Sequence, residues 1–201
     1  MSINVCNDRS MASITSLPSG VSGSSLVLIS EQTASSSSTI SFTSGINSTY
    51  KEYVFKYTDI HPASDNVDFQ FNMSTDTGSN YNVTKTTTGF QAYLNEGDSA
   101  NGLAYESGRD LAQSTNFQGV LIGVGNEADQ CCAGKLHLFN PSSTTFVKHF
   151  ISTGNNYRAD TESQQSYFAG YGNTTSAVDA IQFKMSSGNI DSGTIKMYGV
   201  V

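Results

Sequence analysis

The chain has 201 residues, of which 37% are hydrophobic and only 13% charged, with a formal net charge of −7 and a pI of about 4.7. No Lys/Arg run is present, and an acidic surface repels nucleic acid and anionic lipid, so neither is an expected partner. No apolar run approaches the length of a membrane span, and residues 1–20 lack the basic start and apolar core of a secretory signal.

Residues 1–25 are polar, Ser-rich and punctuated by Pro18, Gly20 and Gly23. They are read as an N-terminal arm, either an attachment segment for a neighbouring subunit or a loose tail. The apolar run 26–29 predicts a buried strand, and 35–38 a turn or plain strand edge. Residues 39–43 alternate through Ile40 and Phe42, and 45–50 form a loop. Along 53–57, Tyr53, Phe55 and Tyr57 share one face and Val54 and Lys56 the other, until Pro62 ends the strand. Val67, Phe69, Phe71 and Met73 mark the next strand, followed by a loop over 74–80.

Residues 81–93 hold one or two strands. The Gly-interrupted stretch 94–117 reads as a long excursion at one end of the domain. A short strand covers 120–124. The stretches 133–139 and 146–151 flank Asn140-Pro141-Ser142-Ser143 and predict a hairpin. Residues 155–163 read as a polar loop and 166–171 as a Gly-interrupted strand. The chain closes with two alternating runs, 180–185 and 194–200, predicted as a β-hairpin. Its inward side chains are Ile181, Phe183, Ile195 and Met197, with Lys184, Lys196 and Tyr198 turned outward.

Nine or ten short strands without a helical period give an all-β fold, paired antiparallel because the crossovers that parallel strands need are missing. An antiparallel β-sandwich over 26–201, jelly-roll-like, is the preferred architecture, and an up-and-down barrel is the alternative.

The chemistry-bearing residues are sparse. Cys6, Cys131 and Cys132 are odd in number, with two adjacent, which reads as reduced thiols rather than a disulfide framework. One register of the 133–151 hairpin places His137 across from His149, with Cys132 as a third zinc ligand, but the remaining ligand spacing is missing. Asp59, Asp65, Asp68 and Asp76 do not follow a calcium-loop spacing. No nucleophile elbow is present. The reading is therefore a non-enzymatic protein without cofactor or metal. Tyr81, Tyr93, Tyr105, Tyr157 and Tyr167, in or beside loops, and Tyr198 on the last strand are the interface or ligand candidates, because tyrosine is rigid and amphipathic.

Several stretches carry a resemblance: 24–33 (SSLVLISEQT), 40–53 (ISFTSGINSTYKEY), 59–62 (DIHP), 134–150 (GKLHLFNPSSTTFVKHF), 170–178 (GYGNTTSAV) and 181–200, which ends in GTIKMYGV. They resemble small virion structural proteins of marine tailed bacteriophages, head decoration or tail and head fibre subunits. The resemblance implies a protein made in the host cytoplasm and located in the virion. It implies a homo-oligomer, commonly a trimer, bound to the major capsid protein or another virion protein through the arm. It transfers no catalytic residue. The alternative reading is a receptor- or glycan-binding module of a tail fibre that contacts a host surface glycan.

Overall fold

The computed structural model describes residues 25–201. The arm expected over 1–25 lies outside the described residues except for Ser25, whose carbonyl accepts the Val201 N–H at 3.1 Å.

Twelve strands make up the described fold: β1 (Leu26–Ser37), β2 (Ile40–Phe42), β3 (Glu52–Pro62), β4 (Val67–Ser74), β5 (Lys85–Asn95), β6 (Asn101–Tyr105), β7 (Gln118–Val124), β8 (Cys132–Phe139), β9 (Lys148–Tyr157), β10 (Glu162–Gly172), β11 (Ala180–Met185) and β12 (Ile190–Val200). They form two antiparallel sheets. The larger has eight strands in the order β1-β12-β3-β8-β9-β10-β5-β6, and the smaller has four, β2-β11-β4-β7.

The connectivity is a jelly roll with two insertions. With β5, β6, β9 and β10 set aside, the remaining eight strands pair as β1–β12, β2–β11, β3–β8 and β4–β7. That is one long antiparallel ribbon. It is rolled so that β12 also bonds β3 and β11 also bonds β4, which closes the two Greek keys of a jelly roll. The β5–β6 hairpin is inserted between β4 and β7, and the β9–β10 hairpin between β8 and β11. Both add to the same edge and double the width of one sheet.

The core lies between the sheets and is built by the alternation read in the sequence. Tyr53, Phe55 and Tyr57 of β3 and Phe69, Phe71 and Met73 of β4 are all buried. Phe183 of β11 sits among them, stacked on Phe69 at 5.6 Å between ring centroids and tilted against Phe55 at 5.7 Å. Burying such side chains contributes roughly 1.5–3 kcal/mol each, the main favourable term in a sandwich of this kind.

The closing hairpin is corrected. Ile181, Phe183, Ile195 and Met197 are buried as expected, but β11 and β12 belong to different sheets and do not pair with each other. The chain crosses the core edge between them. The crossing is sewn to its neighbour at 63–68: Ser186 N–H donates to Asp68 O at 2.8 Å, and Ala63 N–H donates to Asn189 O at 3.0 Å. Alternation specifies the buried face of a strand, and two strands that face one core from opposite sides have the same pattern as a hairpin.

Three further expectations change. Residues 26–29 open an edge strand rather than a buried one, with Val27 38% and Leu28 50% exposed. The expected loop 155–163 shrinks to 158–161, because β9 and β10 extend into it through a ladder that ends at Ser163–Tyr157. The excursion 94–117 contains β6 and then runs back beside β5. Lys85 and Ser114 exchange backbone bonds there, at 2.8 and 3.0 Å, and Thr87 N–H donates to Leu111 O at 2.9 Å.

The smaller sheet is too narrow to cover all of the wide one, so the inner side of the inserted strands is polar. Lys85, Thr87, Gln118, Asn156, Gln164 and Ser166 are buried there. Buried polar groups require partners, and here they have them, except that the Asn156 carbonyl oxygen Oδ1 is left without one among the described residues. Thr87 Oγ1 donates to Gln118 Oε1 at 2.6 Å, Gln118 Nε2 to Arg109 O at 2.9 Å, and Asn156 Nδ2 to Ile122 O at 3.0 Å.

Candidate functional site

The outer face of the eight-stranded sheet carries the most organised set of exposed side chains. The strand registers align one residue from each strand in a single row. From the inserted edge inward it runs Tyr105 (β6), Phe90 (β5), Tyr167 (β10) and Thr153 (β9). It continues across the jelly-roll strands as Lys135 (β8), Lys56 (β3), Lys196 (β12) and Glu31 (β1). At a strand spacing of about 4.8 Å this row spans ~34 Å.

The two halves differ in chemistry. In the first, Phe90 and Tyr167 stack at 4.9 Å with their planes 13° apart. Tyr105 is 57% exposed, Phe90 46%, and Leu103, two residues before Tyr105 on β6, 73%. The Tyr105 hydroxyl donates to Asp110 Oδ2 at 2.7 Å, and the Tyr167 hydroxyl accepts from Gln165 Nε2 at 2.7 Å. In the second half, Lys135, Lys56 and Lys196 are direct cross-strand neighbours. Like charges placed opposite one another are unfavourable. Lys56 lies over the Tyr198 ring at 5.3 Å from its centroid, and Lys196 pairs with Glu31 at 3.3 Å. The Lys135 ammonium has no partner among the described residues. A shallow groove beside it is lined by Lys56, Lys135, Thr153, Asn155 and Gln165. Its floor is the facing pair Gly134–Gly154, where a β-carbon on Gly134 would lie 2.5 Å from Thr153 O and 2.6 Å from the Tyr57 ring.

The tyrosines chosen from sequence are therefore only partly united. Tyr105 and Tyr167 belong to the row, and Tyr198 packs beneath its lysines. Tyr157 is on the same face at the sheet end, where a hydrogen bond to Glu96 holds its phenol above the ordinary range. Tyr93 points to the opposite face, where a β-carbon on Gly102 would lie 2.9 Å from its ring. Tyr81 precedes β5 on the side of the smaller sheet. Its carbonyl accepts from Asn72 Nδ2 at 2.7 Å, and its hydroxyl is buried beside Gly78. Phe90, Leu103 and the three lysines were missed. Phe90 follows Gly89 in a β-prone run and carried an outward-aromatic signal, but the lysine row exists only through the pairing of strands far apart in sequence.

The other ionisable groups are engaged in holding loops. Asp68 accepts from Arg109 Nε at 2.6 Å and from Gly123 N–H at 3.1 Å. Asp76 accepts from the Ser74 hydroxyl and from Asn80, which hold its carboxyl down at about 2. Asp68 and Asp76, two of the four aspartates weighed for calcium, are thus committed to separate loops. His137 pairs with Glu52 at 2.5 Å, and the observed register sets it opposite Ile151, not His149. Cys132 faces the core, and burial pushes its thiol well up. The zinc arrangement considered from sequence is not assembled.

Comparison of the chain with protein-family models, with curated proteins and with solved structures finds no match.

Proposed function

We propose that this protein is a non-enzymatic structural subunit of a phage virion, a capsid decoration protein or a head or tail fibre subunit that works as a symmetric oligomer. The observation that carries the reading is the jelly roll itself, widened to eight strands by two inserted hairpins. Jelly rolls recur in capsid proteins, a fold-level analogy that leaves function to the surface. The loops support a load-bearing shell: Asp68, Asp76 and Asp179 each bridge one chain crossing to another or close a turn. The resemblance of the 181–200 segment to virion proteins points the same way. Attachment runs through residues 1–24, which precede the edge strand β1.

The test is co-sedimentation with particles that lack the protein. The full chain is expected to sediment with them at saturable stoichiometry, and the chain without residues 1–24 is expected to stay in the supernatant while retaining a β-sheet spectrum. Equal binding of the shortened chain overturns the role given to the arm. Failure of the full chain to bind overturns the structural assignment.

A further inference from the structure

We infer that the outer face of the eight-stranded sheet is a binding track for an acidic polysaccharide, with sugar rings on the aromatic half of the row and carboxylate or sulfate groups on the lysine half. The inference concerns this face alone and stands whether or not the protein is part of a virion.

Charge is the first argument. The chain has net charge −7 and only seven lysines. Two of these, Lys85 and Lys148, are buried. Three of the other five, Lys56, Lys135 and Lys196, stand side by side on one face. Among the described residues, only Lys196 of these three is ion-paired, with Glu31. Three adjacent ammonium groups repel one another, and an anion laid along them relieves that repulsion, so the row is complementary to a polymer with regularly spaced negative charge.

The second argument is the stacking surface at the other end. Phe90 and Tyr167 stack on each other, which leaves their edges and outer sides exposed, and Tyr105 occupies the next strand position. Tyrosine and phenylalanine bury the apolar faces of a ligand at low entropic cost, and the hydroxyls bond to polar groups at its rim. Gln165 and Asn155, two residues along the same strands from Tyr167 and Thr153, supply amides to sugar hydroxyls beside the groove. A single-stranded nucleic acid also uses rings and cations, but its binders run a positively charged groove along the backbone beside the stacked bases. Here the rings and the lysines occupy separate halves of the row, which suits a polymer that lays some of its sugar rings on the aromatic half while the acidic groups of the units beyond reach the lysines.

The test uses the full chain in calorimetry at low salt with four probes: a polyuronate (alginate), dextran sulfate, neutral dextran and a short oligothymidylate. Two double variants accompany it, Lys56→Gln with Lys135→Gln and Phe90→Ala with Tyr167→Ala. All four positions face solvent, and thermal unfolding checks that the variants are folded. Alginate or dextran sulfate is expected to bind in a salt-sensitive manner, each double variant to weaken that binding about tenfold or more, and neutral dextran to bind weakly or not at all. Preference for alginate assigns the carboxylate class, and preference for dextran sulfate the sulfate class. The inference is overturned if neither acidic polymer binds, if binding survives both double variants, or if oligothymidylate binds more tightly. Self-association abolished by the aromatic variant, without polymer binding, also overturns it and makes the face a contact between copies.

Discussion

Replacing Phe183 by alanine is expected to cost ~3–5 kcal/mol of folding stability, the upper end for a buried aromatic. The ring is fully buried and meets five others. Phe55 and Tyr57 reach it from the large sheet, and Phe42, Phe69 and Phe71 from the small one. Removing it opens a void lined by rings that are held in place by both sheets, so collapse around the gap is restricted. For a domain stabilised by about 5–15 kcal/mol, that is roughly a fifth or more of the total. Urea unfolding of Phe183→Ala and Phe183→Leu checks this, with the leucine variant recovering part of the loss. A loss under about 1 kcal/mol for alanine contradicts the packing of the two sheets around this ring.

The second large effect is a pH dependence set by Lys85. Its side chain is fully buried, with Nζ donating to Asn72 Oδ1 at 2.6 Å and to Val83 O at 2.8 Å, both neutral acceptors. Burial pushes its ammonium down to about 7. The unfolded chain keeps that proton up to its ordinary value near ~10.4, so above pH 7 the unfolded state binds more protons than the folded one and stability rises with pH. Below pH 7 both states are protonated, and the group contributes no further slope. Lys148, whose ammonium is also lowered by burial, adds a slope of the same sign. The rise is opposed from about pH 8.5, where unfolded cysteines ionise while the buried Cys132 keeps its proton. At about 1.4 kcal/mol per unit, the gain between pH 7 and 8.5 approaches ~2 kcal/mol. Urea titrations at these two pH values should show that gain in the native sequence and a much smaller one in Lys85→Met. An equal gain in both assigns the slope to another group.

These two residues show what the sequence carried and what it did not. Phe183 lies in a clean alternation with Ile181 and Met185, so its burial was legible from period alone, as was that of Phe69 and Phe71. The sheet it joins was not legible, because the pattern is blind to which strand supplies the hydrogen bonds, and a crossing between sheets was read as a hairpin. Lys85 opens a threonine-rich run and would ordinarily be placed in solvent, since lysine is rarely buried without a partner. Its burial follows from the insertion of β5 beside β10, a long-range pairing with no local mark.

The same reason explains the candidate site. Tyr105 and Tyr167 were chosen by residue type, and so was Tyr93, which faces the other way. Direction in a strand depends on register, and register depends on the neighbouring strand. The row from Tyr105 to Lys196 becomes visible only when six registers are known together.

The proposed role is tested most directly by imaging purified particles at a resolution that separates β-strands. The expected result is a repeated density into which the twelve-stranded jelly roll fits, arranged about a symmetry axis, with residues 1–24 against a neighbouring virion protein and the eight-stranded sheet facing outward. Particles that contain no such density, and no peptides of this chain by mass spectrometry, contradict the assignment as a virion subunit.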